Sequence, residues 1–176
     1  MKMSTDVPEG IVVTIQGNKI FVKKGDLELI REFPLRLLAI KFQGNSVDVE
    51  SFTDTAKSKA MVGTFRAHIN NMIRGVAEPF IYKLKICSAH FPMTVKQSGK
   101  IMTVSNFLGE KKPKKIKLIE GVTVKVDGDI ITVTAANKES AGTVASRLEQ
   151  STRLNNKDRR IFQDGIFMIT KAGKDL

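Results

Sequence analysis

The side chains that most often catalyse reactions or hold metal ions are scarce in this sequence. Among its 176 residues there are two histidines, His68 and His90, and one cysteine, Cys87. A single cysteine excludes a disulfide within the chain and a zinc site built from thiol pairs, and it is typical of a reducing compartment. Phosphate-binding glycine loops, dinucleotide fingerprints and nucleophile elbows are missing as well. The sequence therefore predicts a protein that is not an enzyme and needs no catalytic residue, metal or cofactor.

The three candidate residues each have a simpler structural interpretation. His68 falls inside a predicted helix, where a packing or surface role is more common than catalysis. Cys87 and His90 lie three residues apart, which is a possible spacing for metal ligands, but a second pair of ligands is missing. We interpret them as a buried strand cysteine followed by a turn histidine.

Long apolar runs and aromatic side chains are also few. Runs such as 11–15 and 122–126 are interrupted by Thr or Lys and are much shorter than the roughly 20 residues of a membrane-spanning helix. The first residues lack the apolar stretch of a signal peptide. We therefore expect a soluble cytoplasmic protein without a membrane partner. With one tyrosine and no tryptophan, a sheet that stacks several bases, as in an RRM, is poorly supported.

Positive charge is present in excess, and it is unevenly distributed. The formal net charge is +11. Residues 1–78 hold 11 Lys and Arg against 9 Asp and Glu, a net of +2, whereas residues 79–176 hold 18 against 9, a net of +9. A concentrated cationic surface raises the local concentration of polyanions. The second part is therefore expected to contact nucleic acid.

Both parts of the chain show the same order of predicted secondary structure. The turn dipeptides Gly17-Asn18 and Asp127-Gly128 divide alternating β-branched runs, which predicts hairpins. Apolar residues recur at three- and four-residue steps in 53–76 and again after Asn137, which predicts one amphipathic helix in each part. We predict an α+β fold of two homologous small domains, 1–78 and 79–176, each an antiparallel β-sheet packed against one α-helix.

The repeat is visible in the order of its elements and not in residue identity. Identities at an offset of 81 residues, such as Gln16 with Gln97, are about as many as chance gives, so the repeat depends on element order and hairpin position. A strand predicted at 81–86 looks like an addition to the repeated unit. Thr53 or Asp54 is expected to cap the first helix. A strand at 116–119 is expected after a lysine-rich loop.

Two segments of the second part carry most of its charge. Pro113 keeps the first segment out of a helix interior, which predicts an exposed loop. The lysines of this segment are Lys111, Lys112, Lys114, Lys115 and Lys117. The tail after the second helix supplies Arg153, Lys157, Arg159, Arg160, Lys171 and Lys174. Lysine binds phosphate as a point charge, and arginine forks onto phosphate or stacks on bases. These residues favour recognition of the backbone and shape of a folded RNA.

Four segments are recognisable as a family pattern. They are 71–76 (NMIRGV), 89–92 (AHFP), 106–111 (NFLGEK) and the tail, in which the characteristic residues are Gln150, Leu154, Lys157, Arg160, Phe162, Asp164, Gly165, Ile166 and Phe167. In these segments the chain resembles the family of the sixth protein of the large ribosomal subunit, the ninth in eukaryotes, in its archaeal and eukaryotic branch. The resemblance extends over almost the whole chain. The tyrosine and repeated lysine-glycine pattern of the bacterial tail is missing, so bacterial contacts are not transferred position by position.

The resemblance implies a structural constituent of the large subunit that binds large-subunit rRNA near the sarcin-ricin loop and the base of the lateral stalk. Translational GTPases dock in that region, and neighbouring ribosomal proteins would be further partners of a protein that is a monomer within the cytoplasmic ribosome. Binding in the family is chiefly by the C-terminal domain. The resemblance therefore implies rRNA contact at Lys111, Lys112, Lys114, Lys115, Lys157, Arg159 and Arg160.

Several alternatives remain open from the sequence. The tail could be anchored on the second domain by Ile161, Phe162, Ile166 and Phe167, or it could be a disordered basic arm that orders on RNA. A protein-interaction module, with the nearly neutral first part as docking surface, and a free RNA chaperone outside the ribosome are rival functions. Retention on large subunits after a high-salt wash would distinguish a ribosomal constituent from both.

Overall fold

The structure is a computed structural model, and it describes residues 2–34, 38–43, 45–89, 91–158 and 160–176. Gly44 of an expected turn, His90 and Arg159 lie outside the described residues. The chain divides into two compact units, Met1–Pro79 and Phe80–Leu176, called unit 1 and unit 2 below.

Unit 1 consists of short strands followed by one long helix. The elements are β1 (Lys2–Asp6), β2 (Val12–Gln16), β3 (Lys19–Lys24), β4 (Leu27–Glu32), β5 (Leu38–Gln43), β6 (Ser46–Ser51) and α1 (Ala56–Ala77). Among the described residues the strands pair as two antiparallel sheets, in the orders β1-β6-β5 and β2-β3-β4. The helix covers both sheets because its apolar stripe, which includes Val62, Ile69 and Ile73, is buried.

The first helix begins one or two residues later than expected. Thr55 has extended backbone angles and its hydroxyl accepts the N–H of Ser58 at 3.2 Å, so Thr55 is the N-cap. The predicted caps Thr53 and Asp54 are therefore wrong. Ser51, at the end of β6, donates to the carbonyl of Thr53, and this turn delays the first helical residue. All three residue types can cap a helix, so the turn decides which one does.

Unit 2 has the same elements with two strands added at its end. They are β7 (Phe80–Cys87), β8 (Thr94–Ser98), β9 (Ile101–Ser105), a 3₁₀ turn (Phe107–Gly109), β10 (Lys114–Lys117), β11 (Val122–Asp127), β12 (Ile130–Ala135), α2 (Lys138–Ser151), β13 (Gly165–Lys171) and β14 (Lys174–Asp175). The described strands form the sheets β10-β9-β8 and β11-β12-β7-β13-β14, both antiparallel.

The core of unit 2 lies between α2 and the two sheets. Asn137 caps α2 by accepting the N–H of Glu139 at 2.9 Å. The helix buries Ala141, Val144, Ala145 and Leu148 against alternate residues of β7 and β12. Burial of a side chain such as that of Leu148 stabilises the fold by about 2 kcal/mol. The predicted helical stripe is the one that the structure buries.

The pairing of strands changes which strands belong to the repeated unit. In unit 1, β1 pairs with β6, and in unit 2, β7 pairs with β12 in the same way. The strand at 81–86 is thus not an addition, because β1 is its counterpart; β13 and β14 are the additions. The polar sequence of β1, KMSTD, concealed this strand, because its stability comes from pairing and not from an apolar pattern.

The structural offset between the units is 82 residues through β2, β3 and the helix, not 81, and it is 85 at β4, where Ile30 is equivalent to Lys115. The left-handed turn glycines Gly17 and Gly99 are 82 apart, and so are the N-caps Thr55 and Asn137. At this offset identical buried valines coincide, namely Val13 with Val95, Val22 with Val104 and Val62 with Val144. The identities noted at 81 are therefore not structurally equivalent. The α+β prediction is confirmed, although each described unit has two antiparallel sheets instead of one.

Candidate nucleic-acid interface

The lysine-rich segment is a strand for most of its length, not a loop. Lys114, Lys115 and Lys117 lie in β10, which begins two residues earlier than the expected strand at 116–119. Lys111 and Lys112 precede it and are exposed. β10 pairs with β9 from Lys114 onward, directly after Pro113. Proline is tolerated at this point because β10 is an edge strand of the described sheet. The strand fixes the direction of each lysine side chain.

Alternation in β10 separates these lysines into two groups. Ile116 is buried in the core, whereas Lys115 and Lys117 are exposed on the opposite face of the sheet. Neither of the two exposed lysines forms an ion pair within the described residues. Both cations are therefore available to a polyanion.

The Lys114 side chain lies on the same face of β10 as Ile116 and contacts two other side chains. Its ammonium group lies 4.3 Å from the centre of the Phe107 ring and 3.6 Å from Oε2 of Glu110. The Phe107 ring is buried, and the Lys114 side chain is 29% exposed. Lys114 was expected to be an exposed rRNA-binding residue; its side chain is only partly exposed and makes two intramolecular contacts, and its contact with rRNA stays a prediction.

The segment 106–110 positions the start of this strand. Asn106 and Leu108 have positive φ angles of 59° and 49°. The buried Phe107 ring fixes the segment, and the Asn106 amide donates to the carbonyl of Pro92 at 2.9 Å. Two of the segments that carried the family resemblance, 89–92 and 106–111, are thus in direct contact. Strained backbone held by packing in this way is common at functional sites.

Lys96 was missed by the sequence reasoning. It lies in β8 opposite Thr103, which in turn lies opposite Lys115. Lys96 and Lys115 are therefore on the same exposed face, two strands and about 10 Å apart. The two-residue turn after Ser98 could have identified it, because a tight hairpin fixes the register of its strands.

The uncovered face of the five-stranded sheet carries three more lysines. Lys83 and Lys85 alternate with buried residues along β7, and Lys125 lies two strands away, across Thr132 from Lys83. All three are exposed and make no ion pair within the described residues. Their isolation along the sequence concealed them, because only strand pairing brings them together.

The first part of the tail is a compact turn around Asp158. Its carboxylate accepts the backbone N–H of Arg160 at 2.9 Å and lies 3.2 Å from the Arg160 guanidinium. These two hydrogen bonds, the backbone one first, lower the pKa of Asp158 below its usual value of 3.8. Lys157 lies over the Phe162 ring, 4.7 Å from its centre. The turn holds Lys157 and Arg160 close together, and both are exposed, as is Arg153.

The tail is attached to unit 2 by the pairing of β13 with β7, by two polar side chains and by Ile166. Thr152 accepts the N–H of Ile166 at 2.9 Å, and the carboxylate of the buried Asp164 accepts the N–H of Ala89. Ile166 is 1% exposed. Of the other apolar residues expected to anchor the tail, Phe162 is half-buried, whereas Ile161 and Phe167 are exposed at 63% and 44%. The anchoring hypothesis is therefore wrong for these two residues.

The structure divides the basic tail into two locations. The turn leads into Gly165, which lies opposite Cys87 at the end of β7. Lys171 and Lys174 lie opposite each other in the β13–β14 hairpin, where Gly173 donates to Ile81 near the start of β7. Because β7 is eight residues long, the two locations are at opposite ends of the sheet. The tail is thus not one cationic cluster.

Two of the remaining candidate residues, His68 and Cys87, lie among the described residues. His68 contacts the Arg31 guanidinium at 3.1 Å and packs edge-on against Phe65. Cys87 ends β7 and is half-buried. In the described part of the chain, no group of three or more His, Cys, Asp or Glu side chains could hold a metal ion. Neither α1 nor α2, the two α-helices of the described residues, combines the length and the apolar character of a membrane-spanning helix.

The described residues define a two-unit α+β protein with a cationic surface on unit 2, and comparison with known proteins gives its family. The family model for ribosomal protein L6 matches residues 7–78 and 91–165. The large ribosomal subunit protein uL6 of Methanococcus vannielii is 46% identical over 97% of this chain and 94% of that protein. The proteins of the same name from Methanosphaera stadtmanae and Methanobrevibacter smithii are 46% and 43% identical, over 97% and 94% of this chain and 93% of each relative.

The chain belongs to the ribosomal protein L6 family, and the resemblance read from its sequence is confirmed. It is accordingly a structural protein of the large ribosomal subunit and not an enzyme.

Proposed function

We propose that this chain binds large-subunit rRNA near the sarcin-ricin loop and the stalk base, and that it supports the region where translational GTPases dock. Unit 2 supplies the rRNA contacts, through the exposed cations of the lysine-rich segment, the turn around Asp158 and the β13–β14 hairpin. The protein acts as a monomer within the cytoplasmic ribosome. The proposal rests on the family membership and on the cationic surfaces of unit 2.

The observation that carries the proposal is the exposed row formed by Lys96, Thr103 and Lys115, with Lys117 beside it. Lysines on an extended sheet edge contact phosphates as point charges and need no particular base sequence. Such a row recognises the backbone of a folded RNA. Lys111 and Lys112 extend it toward the 3₁₀ turn.

The test compares two variants of the full chain that lose the same charge. The first replaces Lys96, Lys115 and Lys117 with Gln, and the control replaces Lys19, Lys23 and Lys59 of unit 1 with Gln. Binding to purified large-subunit rRNA is measured over a range of salt concentrations. The first variant should reduce the salt slope by about 3, because each phosphate contact contributes about 1. Equal losses in both variants would contradict a site on unit 2.

The position on the rRNA needs a second measurement. Hydroxyl-radical footprinting of the complex should show protection at the sarcin-ricin loop and the stalk base, and the triple variant should lose that protection. Protection elsewhere on the rRNA would overturn the location but not the binding. Retention on large subunits after a high-salt wash would separate a ribosomal constituent from a free RNA chaperone, which should wash off.

Unit 1 has a surface that suits a different partner. Phe21 and the exposed Ile30 lie side by side on the outer face of the β2–β4 sheet, and Val12, 63% exposed, is on the same face. Exposed apolar side chains grouped in this way favour contact with protein. We assign this face to a neighbouring protein of the large subunit. Crosslinks from this face to rRNA instead of protein would contradict the assignment.

A further inference from the structure

A cavity of about 750 Å³ lies in unit 2 between the tail, the end of α2 and the end of β7. Its volume is in the range of small-ligand sites. We propose that it receives an unpaired nucleotide of the bound RNA, with the base inside the cavity. The proposal rests on the proposed function, because the ligand is part of the rRNA.

Aromatic rings line the cavity at two places. Phe162 comes from the tail turn, and Phe167 comes from β13. The Phe167 ring folds back along its own strand over Gly165, where a Cβ would lie 3.2 Å from the ring. Glycine at 165 therefore permits the ring to lie at the mouth of the cavity, where it is 44% exposed. An exposed ring at a cavity mouth is a surface on which a base can stack.

Polar groups of the cavity can form hydrogen bonds with a base edge. Gln150 at the end of α2 and Gln163 in the tail both line it. An amide side chain has both a donor and an acceptor, which is the combination that base edges require. Two carboxylates also line the cavity, but both already accept backbone N–H groups: Glu149 from Met168, and Asp164 from Ala89.

Cations surround the mouth of the cavity, where the phosphates of a nucleotide would remain. Arg153 lines the cavity and is exposed, and Lys157 lies over the Phe162 ring. Lys85 is exposed on β7, opposite Phe167. A base-sized apolar and amide cavity with cations at its rim fits a nucleotide better than a protein side chain, because lysine is depleted at the centres of protein interfaces.

The first test uses Cys87, which lines the cavity and is the one cysteine of the chain. Alkylation of its thiol by iodoacetamide is followed by mass spectrometry, with the full chain alone and with saturating protein-free large-subunit rRNA. The bound RNA should slow alkylation at least tenfold. An unchanged rate while the RNA is bound would overturn the proposal and leave rRNA binding itself intact.

The second test separates base stacking from phosphate contact. Phe167→Leu should weaken rRNA binding about tenfold without changing the salt slope, because a base that stacks on the aromatic ring adds affinity and releases no counterions. The control is Phe52→Leu in unit 1, where Phe52 is 64% exposed, and it should bind as the unsubstituted chain does. Gln150→Leu should also weaken binding, with its slope unchanged.

The outcomes distinguish the two proposals. Wild-type affinity in Phe167→Leu, with a folded protein by circular dichroism, would show that no base stacks there, even if the lysine variants fail to bind. A fall in salt slope with Phe167→Leu would mean that the ring only positions cations, which also overturns the cavity site. Failure of the unsubstituted chain to bind large-subunit rRNA would instead overturn the proposed function.

Discussion

The same row of residues has opposite character in the two units. On the outer face of the β2–β4 sheet the row consists of Thr14, Phe21 and Ile30. At the matching positions of the β8–β10 sheet it consists of Lys96, Thr103 and Lys115. One scaffold thus presents an apolar surface in unit 1 and a cationic surface in unit 2. Residues that point away from the core are free to differ, because packing does not constrain them.

The neighbouring row shows how the charge difference arises. In unit 1, Lys19 lies 3.2 Å from Glu32 on the adjacent strand. In unit 2 the position of Glu32 is taken by Lys117, which lies opposite Ile101. At this position unit 1 thus has a carboxylate that neutralises a lysine, whereas unit 2 has a further lysine with no ion pair within the described residues. This exchange accounts for part of the difference in net charge between +2 and +9.

If the scaffolds are equivalent, matched core substitutions should cost the same. Val62 in α1 and Val144 in α2 are both fully buried and are 82 residues apart. Val62→Ala and Val144→Ala should each reduce the free energy of unfolding of their own unit by about 2 kcal/mol, from lost apolar burial and the cavity left behind. Chemical denaturation followed by amide exchange in each unit would measure this. A difference above about 2 kcal/mol would break the equivalence.

The paired turns provide a second comparison with a smaller effect. Gly17 and Gly99 have φ angles of 58° and 57°, and no atom lies within 4 Å of a Cβ added to either. Gly17→Ala and Gly99→Ala should each cost about 1 kcal/mol, because the whole cost is the left-handed backbone. Thermal unfolding of the two variants measures it. A much larger cost in one unit would indicate a contact that the other turn lacks.

Substitution of Lys114 should lower the stability of the protein more than substitution of Lys115, although both residues belong to the lysine-rich segment. Lys114→Gln removes a cation that contacts Phe107 and Glu110, and should cost about 0.5–1 kcal/mol. Lys115→Gln, its matched control, should leave stability unchanged and weaken rRNA binding. If Lys114→Gln weakens rRNA binding more than Lys115→Gln does, the orientation of the two side chains is wrong.

The smallest effect concerns the tail turn at low pH. The pKa of Asp158 is lowered in the folded state, so its hydrogen bonds stabilise the turn above the usual pKa of 3.8 and are lost as pH falls through the lower, folded value. The protection of the amides at 160–162, measured as the exchange rate relative to the intrinsic rate at each pH, should therefore fall as the pH drops below 3.8. In Asp158→Asn the protection of these amides should not change over the same range. A loss of protection that begins near neutral pH would point to another group.

Sequence patterns predicted the elements whose signals are local. The turns at Gly17-Asn18 and Asp127-Gly128 and the stripe of α2 depend on backbone preferences and on period, and the structure has them. The strand β1 and the direction of Lys114 could not be predicted in this way. A polar edge strand is defined by its partner, and a long side chain on a strand can turn toward a nearby ring.

The candidate surface was predictable only in part, for the same reason. Clustered cations such as Lys115 and Lys117 are visible along the chain, whereas Lys96 and Lys85 become neighbours of other cations through strand register. The basic tail looked like one group. Antiparallel pairing of β13 with β7 places its two ends at opposite ends of the sheet.

By itself, the sequence determined the class of fold, the family and the unit that carries the charge, because periodicity, motifs and composition are properties of the chain. The tertiary structure alone decided which cations share a face, which lysine contacts Phe107, and where the tail lines a cavity. These features depend on contacts between residues far apart in sequence, and such contacts exist only once the strands have paired and the helices have packed.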